Sequence, residues 1–328
     1  MPVVAQKNPT FSDIAKRLDP NGKVDIIVET LKNTNEILED AVVLEGNLPT
    51  GNKTTMRSGL PSVAWRMINQ GVQPSKSTTV QQTDNCGNLE AYAEIDKDLA
   101  DLNGNTASYR VSEDSAFLEA MNQQMANTLF YGDTSKNPER FLGLAPRFNT
   151  LDVKKAASAE NVIDAKGTAS GKLSSIWLMC WGAQTVHCFY PKGSKAGFVH
   201  TDKGQVTLQD GKGGNFEGYR SHYKWSIGLS VRDWRYVVRI ANIDLATITD
   251  DALIEAMVSA VESLPNQNLG KPVFYVNKNV RKRLRNAIRR ADNVHLGIRE
   301  VAGKKVVDFD EIPVRRSDAL VNTETRVV

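Results

Sequence analysis

The sequence predicts a mixed α+β chain whose extended parts are completed by neighbouring molecules. Three observations lead there: a polar, proline-broken start, a long segment too poor in apolar residues to cover itself, and one uninterrupted helix near the middle. The 328 residues suit one elaborated domain or two modest ones. Apolar residues at 41% and charged residues at 24% are values of a globular chain. No apolar run approaches the ~18 residues of a membrane span, and the start MPVVAQKNPTFSDIAKRLD lacks the apolar stretch of a signal peptide. No membrane partner is expected, and the default compartment is the cytoplasm, where thiols stay reduced. A net charge of +3 does not by itself point to nucleic acid.

Residues 1–22 are polar, with Pro2, Pro9 and Pro20, and read as an extended arm. Residues 24–42 place Val24, Ile27, Val28, Leu31, Leu38 and Val42 on one helical face. A helix packed on its own domain and an arm helix packed on a neighbour both fit that stripe. Residues 46–90 are rich in Gly, Thr, Ser, Asn and Gln. Strand candidates cover 54–68 and 75–87, joined by the turn signal NQGVQPS. An isolated two-stranded ribbon is barely stable in water. It therefore lies on a partner surface or folds back on its own domain.

From Asn105 to Tyr131 there is neither Gly nor Pro, and Ala107, Val111, Phe117, Leu118, Met121, Met125 and Leu129 recur at helical spacing. A continuous helix here is about 40 Å long at 1.5 Å per residue. Ser112, followed by Glu113 and Asp114, is an alternative start. Gly132 ends the helix. Residues 151–172 are small and polar and read as a surface linker. Residues 174–244 read as a run of strands holding four of the five Trp and three of the four His. Within them, GKGG is expected to be a hairpin tip, because no G-x-x-x-x-G-K-[ST] accompanies it. Residues 249–264 begin with a Thr249 or Asp250 cap and bury Leu253, Ile254, Met257 and Val261. KPVFYVNK is a core strand, and NKNVRKRLRNAIRRAD a helix with Val280, Leu284, Ala287, Ile288 and Ala291 inward. Residues 304–328 supply a further strand pair.

No catalytic residue, cofactor or metal site is expected. Cys86, Cys180 and Cys188 are odd in number and lack a C-x-x-C, which argues against a disulfide framework. A zinc site from Cys180, His187, Cys188 and His200 lacks the paired close spacing of structural zinc. His187, His200, His222 and His295 have no G-x-S-x-G or H-E-x-x-H around them. Arg232 and Asp233 are expected to form a strand ion pair rather than to do acid–base work. Arg281, Lys282, Arg283, Arg285, Arg289 and Arg290 crowd one helix. They suit a solvated face, acidic groups of a neighbouring subunit, or DNA phosphates, although no aromatic residues interleave for base stacking.

Four blocks carry a resemblance: WG-x-x-x-V-H-x-x-Y-P-K-G-S-K-A-G, H-Y-x-W-x-I-G-L-x-V-R-D-W-R-Y-V-V-R-I-A-N-I-D, NPERFLGLAPRFN and IPVRRSDAL. Long and near-literal, they resemble the major capsid proteins of short-tailed (podovirus-type) bacteriophages, which have the HK97-like shell fold. The resemblance runs from about residue 86 to the end and is weakest in the arm. It implies an N-terminal arm over 1–45 and an extended loop (the E-loop of that family) over 46–95. A peripheral domain with a spine helix over 96–172, an axial domain over 173–300 and returning C-terminal strands over 301–328 follow. The implied function is structural: pentamers and hexamers closing into an icosahedral head around double-stranded DNA, with copies of itself as principal partner. A cementing or decoration protein, a portal and non-specifically held DNA are further implied partners, and the virion its place. Trp65, Met67, Arg281, Arg285 and Arg289 are the expected inter-subunit contacts. Lys53 and Lys76 match no crosslinking motif, so no isopeptide chemistry is carried over. The competing readings are a DNA-binding protein using residues 281–290 and a cytoplasmic enzyme without a recognisable motif.

Overall fold

The computed structural model describes residues 35–104, 106–210, 212–289, 296–301 and 304–328. They fall into two compact units. One takes 88–125 and 197–226, the other 34–87, 126–196 and 227–328, apart from undescribed positions. These units cut the chain along other seams than the five sequence segments, because 197–226 groups with 88–125. Among the described residues no helix is long and apolar enough to cross a membrane.

The larger unit is built on β6 (Ser174–Trp181), every residue of which is buried. A strand covered on both faces needs no polar alternation, which accounts for its run of Ile176, Trp177, Leu178 and Met179. β10 (Val237–Ile243) flanks it antiparallel, with Val238 opposite Leu178. β11 (Lys271–Val276) flanks the other side, with Phe274 opposite Leu178. The path continues to β14 (Ile312–Arg316), parallel to β11, then to β13 (Lys304–Phe309) and β12 (Leu296–Val301). On the opposite side lie β7 (Val186–Tyr190) and the inner end of β9 (Asn215–Val231), with β1 (Val43–Glu45) parallel to β7. Two helices numbered below, at 250–262 and 278–289, cover one face through Leu253, Met257, Val261, Val280 and Leu284. The indole of Trp181 reaches a partner inside this core, donating to the Tyr275 hydroxyl at 2.7 Å.

Before β1, a short α1 (Ile37–Asp40) ends at Ala41, whose backbone turns extended. The amphipathic helix expected over 24–42 is therefore helical only at 37–40 among its described residues, since Asn35 bridges to Ser317; residues 24–34 lie outside the described part. The ribbon consists of β2 (Gly51–Gly59) and β3 (Thr78–Asn85), antiparallel with Asn52 opposite Asp84. Both strands are shorter than expected. Pro61 has no N–H to give a ladder, so pairing stops at Gly59 and residues 60–77 form an irregular loop. Residues 151–172 are more than a linker. β5 (Val162–Asp164) runs parallel to β10, with Val162 buried.

The smaller unit holds β4 (Gly87–Asp96) from Asn88 on, α2 (Lys97–Ala100), the first part of α3 (Thr106–Tyr131), β8 (Phe198–Gln209) and the outer part of β9. β8 and β9 form the expected hairpin, with Val206 opposite Gly218. Its tip is closed by Asp210, which accepts from the N–H groups of Lys212 and Gly214, while Gly213 takes φ +86°. Ion pairs Arg220–Glu94 and Lys224–Glu90 tie β9 to β4, and Arg110–Asp202 ties α3 to β8. Phe117 and Phe198 stack on Tyr223. α3 matches the expected helix to within a residue, yet Val111 and Leu118, expected on its buried stripe, are exposed. Its later turns belong to the larger unit, where Phe130 packs beside Trp177 and Tyr275.

α4 (Asp250–Glu262) is capped by the Thr249 hydroxyl, which accepts from the Ala252 N–H, as its sequence indicates. α5 (Lys278–Arg289) buries Val280, Leu284 and Ala287, and the side chain of Asn277 caps it through the Val280 N–H. The side chain of Ile288 and all of Ala291 lie outside the described residues.

Candidate assembly interface

The ribbon is held at its root by polar groups and left open at its far end. Asp84 accepts from Arg147 at 2.7 Å, and both side chains are buried. Arg147 also donates to the carbonyls of Leu142, Gly143 and Leu229. Asn52 donates to the Ser230 hydroxyl. Beyond this root Leu60, Val63, Trp65, Met67, Ile68 and Val72 are all exposed, with Trp65 at 104% of its free area. Six large apolar side chains within 13 positions far exceed the scattered exposed apolar residues of a finished surface. Trp65 and Met67 stand where sequence reasoning sought contacts. Leu60, Val63, Ile68 and Val72 are exposed beside them and were not singled out, because residues 54–68 read as a strand and Val72 as part of a turn. Beside the ribbon root runs a groove of about 880 Å³, lined by Met56, Arg57, Val80, Arg232, Asp233 and Trp234 among others.

The basic helix divides by position. Arg281 pairs with Glu36, and Arg283 pairs with Asp250 while donating to the carbonyls of Leu245 and Ile248. Those two cations fasten α5 to its own unit. Lys278, Lys282 and Arg285 are exposed. Arg289 is the last residue of α5, and its side chain lies outside the described part. Arg232 and Asp233 do not pair with each other. Asp233 caps the following turn and binds Arg235, whereas Arg232 is exposed and donates to the Ala183 carbonyl. Adjacent positions of a strand face opposite sides, and the bend after β9 puts Asp233 at the cap of the next turn, so the two side chains do not meet.

A second buried ion pair of the larger unit is Arg239 with Glu324, at 2.8 Å and with both side chains about 95% covered. Arg239 donates further to the Phe148 carbonyl and the Ser175 hydroxyl, and lies over the Trp177 ring. Glu324 accepts from Ser175 and from Tyr131. Burial first, then the Glu324 charge, pushes the Tyr131 phenol well above its usual range. A satisfied network of this kind holds structure and leaves no free acid or base for chemistry. At the arm end, Asp40 accepts from Lys271 and is paired with Arg315.

Burial pushes the Cys180 thiol up to about 11 and the Cys188 thiol to about 12, so both behave as small apolar side chains. Among the described residues no group of three or more His, Cys, Asp or Glu is arranged to hold a metal ion.

A fold stitched by internal ion pairs, with an apolar loop left uncovered by its own unit, is the build of a subunit. The family model described as major capsid protein GP7 matches residues 19–328, and the chain belongs to that family. It is similar over 100% of its length to a chain of the near-atomic bacteriophage Epsilon15 structure. The two are 42% identical at a TM-score of 0.78, with 99% of that chain covered. The capsid of bacteriophage JBD30 shares the fold at 10% identity and a TM-score of 0.50, over 89% of this chain and 92% of that one. No curated protein matched. The protein is thus a self-assembling major capsid protein of the HK97-like α+β fold, a structural component of a phage virion and not an enzyme. The reading as a DNA-binding protein finds no support.

Proposed function

We propose that the shell is built from pentamers and hexamers in which residues 46–95 act as the E-loop, lying over an adjacent copy with Trp65 and Met67 as anchors. The observation that carries this reading is the cluster of exposed apolar side chains at 60–72. Burying them against a second copy removes apolar area that the subunit cannot cover itself. In the same scheme α3 is the spine helix, with 96–172 as the peripheral domain. Residues 173–300 form the axial domain, 301–328 the returning strands and 1–45 the arm. The exposed Lys278, Lys282 and Arg285, with Arg289, meet acidic groups of a neighbouring subunit rather than reading DNA. Packaged double-stranded DNA is held non-specifically, and a decoration protein and a portal complete the particle. Weak contacts repeated around a closed shell add up to a stable one. Electron microscopy and sedimentation of the expressed protein test this. Closed particles or capsomers are expected, and a compact monomer at every salt and protein concentration contradicts it. In limited proteolysis, residues 50–90 are expected to be cut in free subunits and protected in particles.

A further inference from the structure

His187 lies on β7 at the root of the ribbon and is 3% exposed. Each neighbouring element presents a group to it. β2 brings Asn52, whose amide nitrogen lies 3.5 Å from Nε2, and β9 brings Ser230, directly opposite in the ladder. β3 brings the Asp84 carboxylate, already engaged by Arg147. The turn after β9 brings the Arg232 guanidinium, and the turn after β6 brings the Gly182 backbone. The amide nitrogen of Asn52 also donates to the Ser230 hydroxyl at 3.3 Å. With the amide in this orientation Nε2 must accept, which only the neutral imidazole can do.

We propose that the ribbon root is an acid-operated latch with His187 as its titrating element. A proton taken from solvent onto Nε2 sets donor against donor at Asn52 and leaves a buried cation near the Arg232 guanidinium. Turning the amide over relieves only the first, since the Ser230 hydroxyl can donate as well as accept, whereas movement of β2 lets water reach the charge. With that movement the first rungs of β2 and β3 loosen while the core beneath them stays folded. The surroundings fit a group kept neutral at rest. Burial, and then the Arg232 charge, hold His187 below its ordinary value, against the opposite pull of Asp84 and the Gly182 backbone. A histidine depressed in this way stabilises the closed root fully above its unfolded value, about 6.5. That contribution is lost as pH falls from there through the lower native value. A shell protein with such a root can re-aim its loop without unfolding its body.

The test is amide hydrogen exchange on the full-length protein between about pH 7.5 and about pH 5.5, with rates corrected for intrinsic chemistry. Amides of residues 51–55 and 82–85 are expected to open progressively faster below about pH 6.5, by up to tenfold per unit. Those of β11 stay unchanged. In His187→Gln the pH dependence at the root disappears. In Arg232→Met, an exposed position, the native value rises toward the unfolded one, so the onset stays near about pH 6.5 while the acceleration levels off sooner as pH falls and its total is smaller. Flat wild-type rates, equal acceleration in β11, or a slope that survives in His187→Gln overturns the latch. If His187→Gln does not fold, Arg232→Met decides: a total acceleration equal to or larger than that of wild type overturns the proposal.

Discussion

Trp65→Ala separates a folding residue from an assembly residue. The indole is fully exposed, so its removal leaves the larger unit's packing untouched. Subunit stability is expected to stay within about 0.5 kcal/mol of wild type. Docked on a neighbour, a Trp side chain covers about 200 Å² of apolar area, worth about 5 kcal/mol at ~25 cal/mol per Å². Ordering the side chain and loop takes part of that back. The net loss on truncation is expected at about 2–4 kcal/mol per contact, the range of an interface hot spot. At 1.4 kcal/mol per decade this weakens each contact by roughly 30- to 1,000-fold. Sedimentation velocity over a concentration series reads the assembly threshold, and thermal unfolding of the free subunit reads the fold. A raised threshold with unchanged unfolding is expected, with Trp65→Phe in between. Wild-type assembly by Trp65→Ala refutes the argument, as does a subunit that melts early.

Arg239→Ala leaves Glu324 charged and uncompensated in the core, and a loss of about 3–5 kcal/mol is expected in denaturant unfolding. With thiols raised to about 11, 11 and 12, Cys86, Cys180 and Cys188 are expected to resist iodoacetamide at neutral pH and to react together once unfolded, as mass spectrometry will show. Particles are expected to run as single chains on a denaturing, reducing gel, since no crosslinking motif is matched; a ladder there contradicts that. Arg285→Glu with Arg289→Glu is expected to impair capsomer formation without DNA, by sedimentation. Normal assembly combined with poor packaging would favour DNA contact instead.

Local signals located elements well where one element suffices. The Gly- and Pro-free run gave α3 its length, the Thr249 cap placed α4, and the alternation of apolar positions put Val280, Leu284 and Ala287 inward. What could not be read was set by distant partners. Arg239 and Glu324 are 85 positions apart, and nothing near either marks the other. β5 forms only because β10 offers it an edge. Val111 and Leu118 keep helical spacing yet are exposed, because periodicity reports a face and not what covers it. Residues 60–68 and 75–77 looked like strand by composition, and Pro61 and Pro74 beside them decided otherwise. The near-literal blocks identified the family when no chemical motif was present to do so.

The place of β14 in the sheet sets an order of events at the ribosome. β11 takes β14 as its parallel neighbour, so this side of the sheet waits for residues near the end of the chain. The apolar loop at 60–77 is synthesised about 240 residues earlier, an interval of roughly 12–50 s at bacterial elongation rates. Throughout it, a nascent copy carries an uncovered apolar segment. It does not yet have the finished body that a neighbour's segment would dock on. On the proposed docking of residues 60–72, chains still in synthesis offer one another no complete surface to receive that segment.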